Sequence, residues 1–469
     1  MDYIRTALLA LGVVALFQFA AAEEYTFIAP EPWYSVDDPK SWSSAPEGAK
    51  TGTNQWLGGH TFIIAADQGT TGIAVKSFND EEFPTNATFI FNKNFSLSFD
   101  DGNGAVSHTF GNIVNNAGAL LLNAQTQLKI ASIALNPADS STASSIKLVY
   151  NTASDSYYYN SATDNFLSAD IGRVTLNAQI PTNIWGNNQE FQINNSRGKN
   201  VNAVVRINGL AGQGSVRNEL GDTTVVGEDG STKIVFSNTS DAKFKGMISD
   251  DFGTKTNRIG IVMDGSAKQT LILTGTEQGT VWTRDDKSQV GTTIKNGTLA
   301  ISTRTDGESI QLAKIQLDGG KLAVAESVNG GKGSLSTTGI NWNGGKIALE
   351  LNNANLSAAN IVSESGILQG EAEKFIFELD LSAFEADKVF NGDEFQLISS
   401  SSGDFGYKDK YDATFIYNGK GLGDSLAYEF FVLNNTLGIK LTGTVPEPAT
   451  VAAILGAAAL AFAAYRRRK

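Results

Sequence analysis

Asn296-Gly297-Thr298-Leu299-Ala300-Ile301 is followed by two copies of the same pattern, Gly319-Gly320-Lys321-Leu322-Ala323-Val324 and Gly344-Gly345-Lys346-Ile347-Ala348-Leu349. The copies are 23 and 25 residues apart. Each has a glycine turn followed by a large apolar, a small and a second large apolar residue. A repeat of about 20–30 residues with one glycine corner and one short strand is typical of a β-solenoid rung.

The repeat also predicts where its side chains point. Glycine adopts positive φ without steric cost, so we expect Gly297 and its equivalents to form the corner. Successive strand residues point to opposite faces, so Leu299 and Ile301 should face the interior and Ala300 should point outward. A fainter copy of the same pattern occurs earlier, at Ala117-Gly118-Ala119-Leu120-Leu121-Leu122.

The remainder of the body favours an all-β chain. Short segments with apolar alternation recur between glycine, asparagine, aspartate and serine clusters, and sustained helical periodicity is nearly absent. Examples are Thr61–Ile64, Ala87–Phe91, Phe95–Phe99 and Lys233–Phe236. We therefore expect an elongated parallel β-solenoid over residues 56–370, preceded by a proline- and tryptophan-rich leader over residues 23–55.

Residues 371–442 carry strands with bulkier apolar residues, such as Phe375–Leu381 and Tyr428–Val432. The open end of a solenoid exposes unpaired backbone and apolar side chains, so it requires a cap. We interpret this segment as a β-rich cap, with a short helix near Ser382–Phe390. A separate small β-sandwich domain is the alternative.

The stretch from Phe244 to Thr303 resembles the autotransporter-associated β-strand repeat of bacterial surface β-helices. It contains Phe244-Lys245-Gly246-Met247-Ile248, Leu271-Ile272-Leu273-Thr274-Gly275 and the Gly291–Ile301 segment. The resemblance covers about residues 233–350, and Trp282–Asp286 departs from the pattern of the family. It implies a β-helix and says nothing about a ligand.

Residues 1–22 have the three parts of a secretory signal peptide. Arg5 precedes an apolar run from Ala7 to Phe17, and small residues follow. The run is shorter than the ~20 residues of a membrane-spanning helix. The predicted signal cleavage site includes Ala20 and Ala22. A buried N-terminal helix is the alternative.

The C-terminus is predicted to be a membrane-spanning segment. The apolar residues Ala449–Tyr465 would extend about 25 Å as a helix, just under the ~30 Å hydrocarbon core of a bilayer. Two prolines block a helix from running back into the body. The basic end should stay in the cytoplasm by the positive-inside rule. It consists of Arg466, Arg467, Arg468 and Lys469.

Residues 445–469 as a whole resemble the PEP-CTERM sorting signal of Gram-negative bacteria. The resemblance implies that an exosortase recognises Pro446, Glu447 and Pro448 and cleaves nearby. It also implies an exported protein that is anchored in the inner membrane by its C-terminal helix before processing. The protein would then reach the cell surface, the outer envelope or the extracellular matrix. A plain C-terminal anchor is the alternative.

The composition excludes several classes of site. The chain has no cysteine and two histidines, which excludes disulfides and thiolate metal sites and leaves little room for histidine relays. A formal net charge of −13 argues against nucleic acid as a partner. We predict no cofactor, no metal site and no catalytic residue.

For the other candidate residues, a purely structural interpretation competes with a chemical one. Adjacent carboxylates on a strand point to opposite faces and make poor acid–base pairs, so turns are the preferred interpretation. The Asp100–Gly104 segment resembles the opening of a calcium loop but lacks the glutamate at its twelfth position. The aromatic cluster Tyr157-Tyr158-Tyr159 could form a surface on which carbohydrate rings stack, or it could be the edge of a loop. These residues are Asp100-Asp101, Asp250-Asp251, Asp285-Asp286, His60, His108 and Tyr157-Tyr158-Tyr159.

The sequence therefore predicts a structural or adhesin-like protein with no catalytic activity. The expected partners are an exosortase, transiently the inner membrane, and extracellular polysaccharide. A β-helix polysaccharide lyase or hydrolase and a glycan-binding module remain alternatives. The Asn-x-Ser/Thr triplets leave surface glycosylation open. They begin at Asn86, Asn94, Asn194, Asn238, Asn296, Asn355 and Asn434.

Overall fold

The computed structural model describes part of the chain. The described residues are 24–27, 50–51, 55–56, 61–64, 73–76, 87–100, 108–124, 128–150, 166–178, 189–194, 202–218, 231–250, 258–273, 290–303, 309–324, 334–368, 370–402, 405, 408–423, 426–445 and 466. In these ranges the structure consists of β-strands and two short 3-10 helices, at Asn353–Leu356 and Lys408–Lys410. The predicted all-β class is confirmed.

The strands are numbered in chain order. Those before residue 251 are β1 (Glu24–Phe27), β2 (Lys50–Thr51), β3 (Gln55–Trp56), β4 (Thr61–Ile64), β5 (Ile73–Lys76), β6 (Thr88–Phe91), β7 (Phe95–Asp100), β8 (His108–Asn115), β9 (Gly118–Ala124), β10 (Leu128–Leu135), β11 (Ser144–Tyr150), β12 (Phe166–Asn177), β13 (Gln189–Asn194), β14 (Asn202–Ile207), β15 (Leu210–Asn218), β16 (Ser231–Phe236) and β17 (Ala242–Asp250). Those after it are β18 (Arg258–Leu273), β19 (Val290–Thr303), β20 (Ser309–Leu312), β21 (Lys314–Leu317), β22 (Lys321–Val324), β23 (Ser334–Thr337), β24 (Ile340–Trp342), β25 (Lys346–Glu350), β26 (Ile361–Ser363), β27 (Ile367–Leu368), β28 (Phe375–Asp380), β29 (Val389–Ser400), β30 (Tyr411–Tyr417), β31 (Lys420–Gly421), β32 (Leu426–Leu433) and β33 (Thr436–Thr444).

Parallel pairing arranges these strands in three columns, and the longest strands contribute to more than one column. The first column is formed by β8, β10, β12, β14, β16, β18, β19, β21, β24 and β27. The second is formed by β1, β4, β6, β8, β10, β12, β15, β17, β18, β19, β22, β25, β28 and β30. The third contains one run of β5, β7, β9, β11, β13, β15 and β17 and another of β20, β23, β26 and β29.

The register of the glycine repeat is the one that the sequence predicts. Leu299 pairs with Leu322, and Leu322 pairs with Ile347. The corner glycines have positive φ values of 63°, 58° and 73°, at Gly297, Gly320 and Gly345 respectively. The expectation for the small residue holds in part, because Ala323 and Ala348 are half-buried whereas Ala300 is fully buried. Elsewhere in the columns, paired residues are 20 to 45 positions apart along the chain.

The core lies between the columns and is filled by alternate residues of each strand. Phe62 stacks on Phe89 with ring centroids 5.1 Å apart, and Phe89 contacts Phe110 at 4.4 Å. All three rings are buried. Each fully buried aromatic or aliphatic side chain stabilises the fold by about 1.5–3 kcal/mol relative to exposure. Hydrophobic burial repeated strand by strand therefore holds the columns together.

Polar side chains at the corners hydrogen-bond to their counterparts in the neighbouring paired segment. The Asn116 Nδ2 donates to Asn92 Oδ1 at 2.9 Å, and the Asn177 Nδ2 donates to Asn136 Oδ1 at 2.6 Å. Between the first and second columns, the Asn296 Nδ2 donates to Asp264 Oδ1 at 2.8 Å. A side chain that is both donor and acceptor satisfies its equivalent in the neighbouring segment, which explains the asparagine-rich turns.

Both ends of the predicted body continue into the same columns. β1, from the predicted leader, pairs in parallel with β4. Parallel pairing also continues past residue 370, since β28 pairs with β25 and β30 pairs with β28. The antiparallel strands β29, β33 and β32 join the sheet of the third column. Residues 382–388 form turns and β29 begins at Val389, so the short helix expected at Ser382–Phe390 is wrong.

The predicted membrane anchor is contradicted. Among the described residues, no helix has the length and apolar character needed to cross a bilayer. The localisation that the sequence predicts through a C-terminal membrane helix is therefore wrong. Arg466 is exposed, and it is the one described residue of the anchor segment beyond Val445. The predicted signal peptide, residues 1–22 with Ala20 and Ala22, lies outside the described residues.

Candidate functional site

The outer surface of the second column carries lysines that are in register from strand to strand. Lys268 pairs with Thr298, Thr298 pairs with Lys321, and Lys321 pairs with Lys346. Neighbouring strands lie about 4.7–4.9 Å apart, so Lys321 and Lys346 are adjacent cations and Lys268 lies two strands from Lys321. We call this surface the lysine face, and it is defined by Lys243, Lys245, Lys268, Lys321 and Lys346.

Small side chains form the neighbouring row of the lysine face. The register runs from Lys243 to Thr270, then to Ala300, Ala323 and Ala348. Alanine and threonine project little beyond the pleated backbone, whereas lysine carries its charge on a long flexible stem. Thr270, Ala323 and Ala348 are partly exposed whereas Ala300 is fully buried, so the row is accessible on either side of Ala300 and covered at that position.

One end of the lysine face contains a groove of about 410 Å³. It is lined by Asn177, Gly212, Gln213, Lys243 and Lys245, from β12, β15 and β17. Asn177 pairs with Gln213, and Gln213 pairs with Lys245, so these side chains lie on three adjacent strands. The groove thus combines two ammonium groups with two amides.

The lysines differ in their partners. Lys321 Nζ forms an ion pair with Glu378 Oε1, and Lys346 Nζ lies 3.7 Å from Glu378 Oε2. Within the described ranges, Lys243, Lys245 and Lys268 take part in no ion pair. The lysines without an ion-pair partner are therefore those of the groove and of the strand next to it, where the exposed Asp241 carboxylate accepts the backbone N–H of Lys268 at 2.9 Å.

A second polar cluster lies at the C-terminal end of the same column. Lys374 Nζ is 2.8 Å from Asp412 Oδ2, and the Tyr428 hydroxyl donates to Asp412 Oδ1 at 2.6 Å. The backbone N–H of Ala413 donates to the same Oδ1 at 2.9 Å. Tyr428 belongs to the antiparallel strand β32, so the cluster fastens that strand to β30.

The protonation of this cluster is unsuited to acid–base catalysis. Hydrogen bonds from Lys374 and Tyr428 hold the pKa of Asp412 below its ordinary value. Partial burial, followed by the bond to Asp412, raises the pKa of Tyr428. The bond to Asp412 raises the pKa of Lys374. The carboxylate is therefore ionised and the phenol protonated near neutral pH, whereas a general acid or base works best with a pKa near the working pH.

These hydrogen bonds predict a loss of stability in acid. A carboxyl group with a lowered pKa stabilises the folded state above its unfolded pKa, and the stabilisation disappears as the pH falls through the folded pKa. The ordinary value is 3.8, so the loss occurs on the acid side of that value. The carboxyl carbon of Asp412, followed by NMR, should titrate below 3.8. Lys374→Gln or Tyr428→Phe should raise its pKa, and titration at the ordinary value in the unaltered protein would contradict the cluster.

Most of the sorting residues predicted from the sequence lie outside the described residues. They are Pro446, Glu447, Pro448, Arg467, Arg468 and Lys469. The same holds for several candidate chemical residues, namely His60, Asp101, Tyr157, Tyr158, Tyr159, Asp251, Asp285 and Asp286. Asp100 and Asp250 are described as the last residues of β7 and β17, and His108 as the first residue of β8.

Two of the possible glycosylation sites are enclosed in the core. Asn238 and Asn355 are each 0% exposed. The Asn238 Nδ2 donates to Gln269 Oε1 at 3.0 Å, so the nitrogen that would carry a glycan is already engaged. These triplets reflect buried hydrogen bonding instead of surface modification. By contrast, Asn94, Asn296 and Asn434 are exposed.

Other ionisable groups are dispersed or paired. No group of three His, Cys, Asp or Glu residues that could hold a metal ion occurs in the part of the chain that the structure describes. Arg217 and Glu190 form a mostly buried ion pair at 3.2 Å, from two adjacent strands of the third column. That pair connects β13 to β15, which is a structural role.

The lysine face was missed by the reasoning from sequence. Its signal was present, because the second and third repeat copies each place a lysine directly after the corner glycine, at Lys321 and Lys346. Lys243 and Lys245 flank Phe244, which alternation places inward. Because the net charge of the whole chain is negative, a local cluster of lysines was not expected.

Comparisons with protein-family models, with curated proteins and with solved structures give no match.

Proposed function

We propose that the chain is a structural or adhesin-like protein without catalytic activity, built as an elongated β-solenoid. In this proposal, the first, second and third columns are three faces of one stack of coils. The observation that carries it is the in-register parallel pairing of successive chain segments, from β4 to β30 in the second column.

The arrangement of contacts supports an elongated body. Each strand in a column pairs with the strand of the preceding coil and that of the following coil, so every added coil lengthens the stack by about 4.7–4.9 Å. The antiparallel strands β29, β33 and β32 supply the cap that the open end of such a stack requires. A long, regularly spaced surface is suited to spacing or adhesion.

The charged clusters support a non-catalytic function. The ionised Asp412 is held by three donors, and the Glu190 carboxylate is held by Arg217. Groups fastened in this way connect strands and are poorly placed to exchange protons with a substrate. Recognition of Pro446, Glu447 and Pro448 by an exosortase, the PEP-CTERM resemblance and the autotransporter-like repeat remain predictions from the sequence.

Sedimentation velocity combined with a cleavage assay tests the proposal. We expect the purified chain to sediment with a frictional ratio above that of a compact protein of 49.8 kDa. Incubation with neutral and acidic polysaccharides should release neither new reducing ends nor unsaturated uronates. Compact sedimentation would contradict the solenoid, and cleavage that Asp412→Asn abolishes would favour the enzyme alternative.

A further inference from the structure

The groove on the lysine face is matched to a particular kind of ligand. We infer that Asn177, Gln213, Lys243 and Lys245 bind a carboxylate-bearing polysaccharide, and that Lys268 extends the site along the face. The inference deepens the proposed adhesin-like function and rests on it. It assigns that function a place on the molecule and a ligand class.

The chemistry of the lining favours an acidic sugar chain. The two ammonium groups at Lys243 and Lys245 donate only, so they select negative charge. The amide of Gln213 can both donate and accept, as a hydroxyl-rich ring requires. The Asn177 Nδ2 already donates to Asn136 Oδ1, so its carbonyl oxygen and its second amide hydrogen remain for a ligand. A uronate offers both partners, since it carries one carboxylate and several hydroxyls on each sugar. A neutral glycan would leave the lysine charges without counterparts.

The charges in the groove are available to a ligand. Lys243 and Lys245 form no ion pair among the described residues, and Lys243 is exposed. The side chains lie on β12, β15 and β17, which are held in register by backbone pairing. The spacing of the polar groups is therefore set by the strands before a ligand arrives, which reduces the ordering cost of binding.

The direction of the face suits an extended chain. Lys268 lies on β18, the strand next to β17, and Lys321 and Lys346 follow on β22 and β25. A polymer running across the strands would meet these cations after the groove. Glu378 neutralises part of the charge at Lys321 and Lys346, and the Asp241 carboxylate lies beside Lys268, so the groove should contribute most of the attraction.

Nucleic acid fits the same surface less well. Proteins that bind single strands combine cations with aromatic side chains on which bases stack. Among the residues that the structure describes, the groove lining contains no aromatic side chain. The observations therefore favour the acidic polysaccharide.

Fluorescence polarisation with labelled polygalacturonate tests the site on the full chain. The double variant Lys243→Gln/Lys245→Gln should weaken binding about tenfold, because it removes two charge contacts of the surface type. The matched control Lys129→Gln/Lys233→Gln removes two exposed lysines on the first column, and its affinity should stay within about twofold of the unaltered protein. Binding should weaken as salt is added.

The competitors distinguish the ligand classes. Neutral dextran should not displace polygalacturonate, dextran sulfate would do so if any anion suffices, and a single-stranded oligonucleotide would do so if the site is for nucleic acid. The inference would be overturned if dextran sulfate or the oligonucleotide competed better than unlabelled polygalacturonate does. It would also be overturned if the two double variants had equal effects, or if no binding occurred. Absence of binding with elongated sedimentation leaves the proposed scaffold intact, whereas compact sedimentation overturns the scaffold itself.

Discussion

Replacement of Trp342 by alanine is expected to lower the free energy of unfolding by about 3–5 kcal/mol. Trp342 is fully buried, and its ring centroid lies 5.2 Å from Phe375 and 5.3 Å from Phe377. It belongs to the first column, whereas its two partners belong to the second. Removing the indole would open a cavity between the two columns, and the paired backbones on either side could close it only in part.

Urea unfolding followed by circular dichroism measures this effect. The control is Val389→Ala, because Val389 is 49% exposed and lies on β29. Val389→Ala should lower the free energy of unfolding by no more than about 0.5 kcal/mol, as expected for an exposed position. Trp342→Phe should give an intermediate result, since it keeps an aromatic ring in contact with Phe375. A loss for Trp342→Ala no larger than that of Val389→Ala would show that this interior is not packed as described.

The sequence was most informative where the repeat was short and regular. The alignment of Leu299, Leu322 and Ile347 predicts the observed pairing because a shift of one residue would turn every apolar side chain to the outside. The positive φ of Gly320 could be predicted equally well from the sequence, since few residues other than glycine adopt such an angle at low cost. Local constraints of this kind can be recognised from the residue types alone.

The arrangement of the columns could not be predicted in the same way. Paired residues are 20 apart between β8 and β10 but 45 apart between β11 and β13. Insertions of that size at a corner leave the strand pairing intact but remove the regular period from the sequence. Strands such as β18 and β19 also pass through a corner without interruption, so their pattern changes face within one strand.

The errors have physical reasons as well. The lysines of the candidate site contribute no apolar periodicity, and their outward positions become a face only after the register is known. Asn238 and Asn355 matched a surface motif but satisfy buried hydrogen bonds, which a tripeptide pattern does not distinguish. The helix expected near Ser382 does not form, and the chain instead turns there before β29.

The stacking of the corners predicts a second large effect, at Gly345. Its φ is 73°, and a Cβ added there would lie 2.5 Å from the carbonyl oxygens of Gly319 and Gly320 in the preceding repeat. Gly345→Ala should therefore combine the cost of a left-handed residue, about 1–2 kcal/mol, with a steric cost of about 1–3 kcal/mol. The effect arises only if the two segments lie directly against each other.

The most direct test of the stack is the comparison of Gly345→Ala with Gly419→Ala by urea unfolding. Gly419 has the same φ of 73°, but a Cβ there would meet nothing within 4 Å. The pair therefore shares the backbone cost and differs only in the contact with the neighbouring segment. We predict that Gly345→Ala is the less stable variant by about 1–3 kcal/mol. Equal unfolding midpoints would contradict the parallel stacking of successive segments on which the proposed function depends.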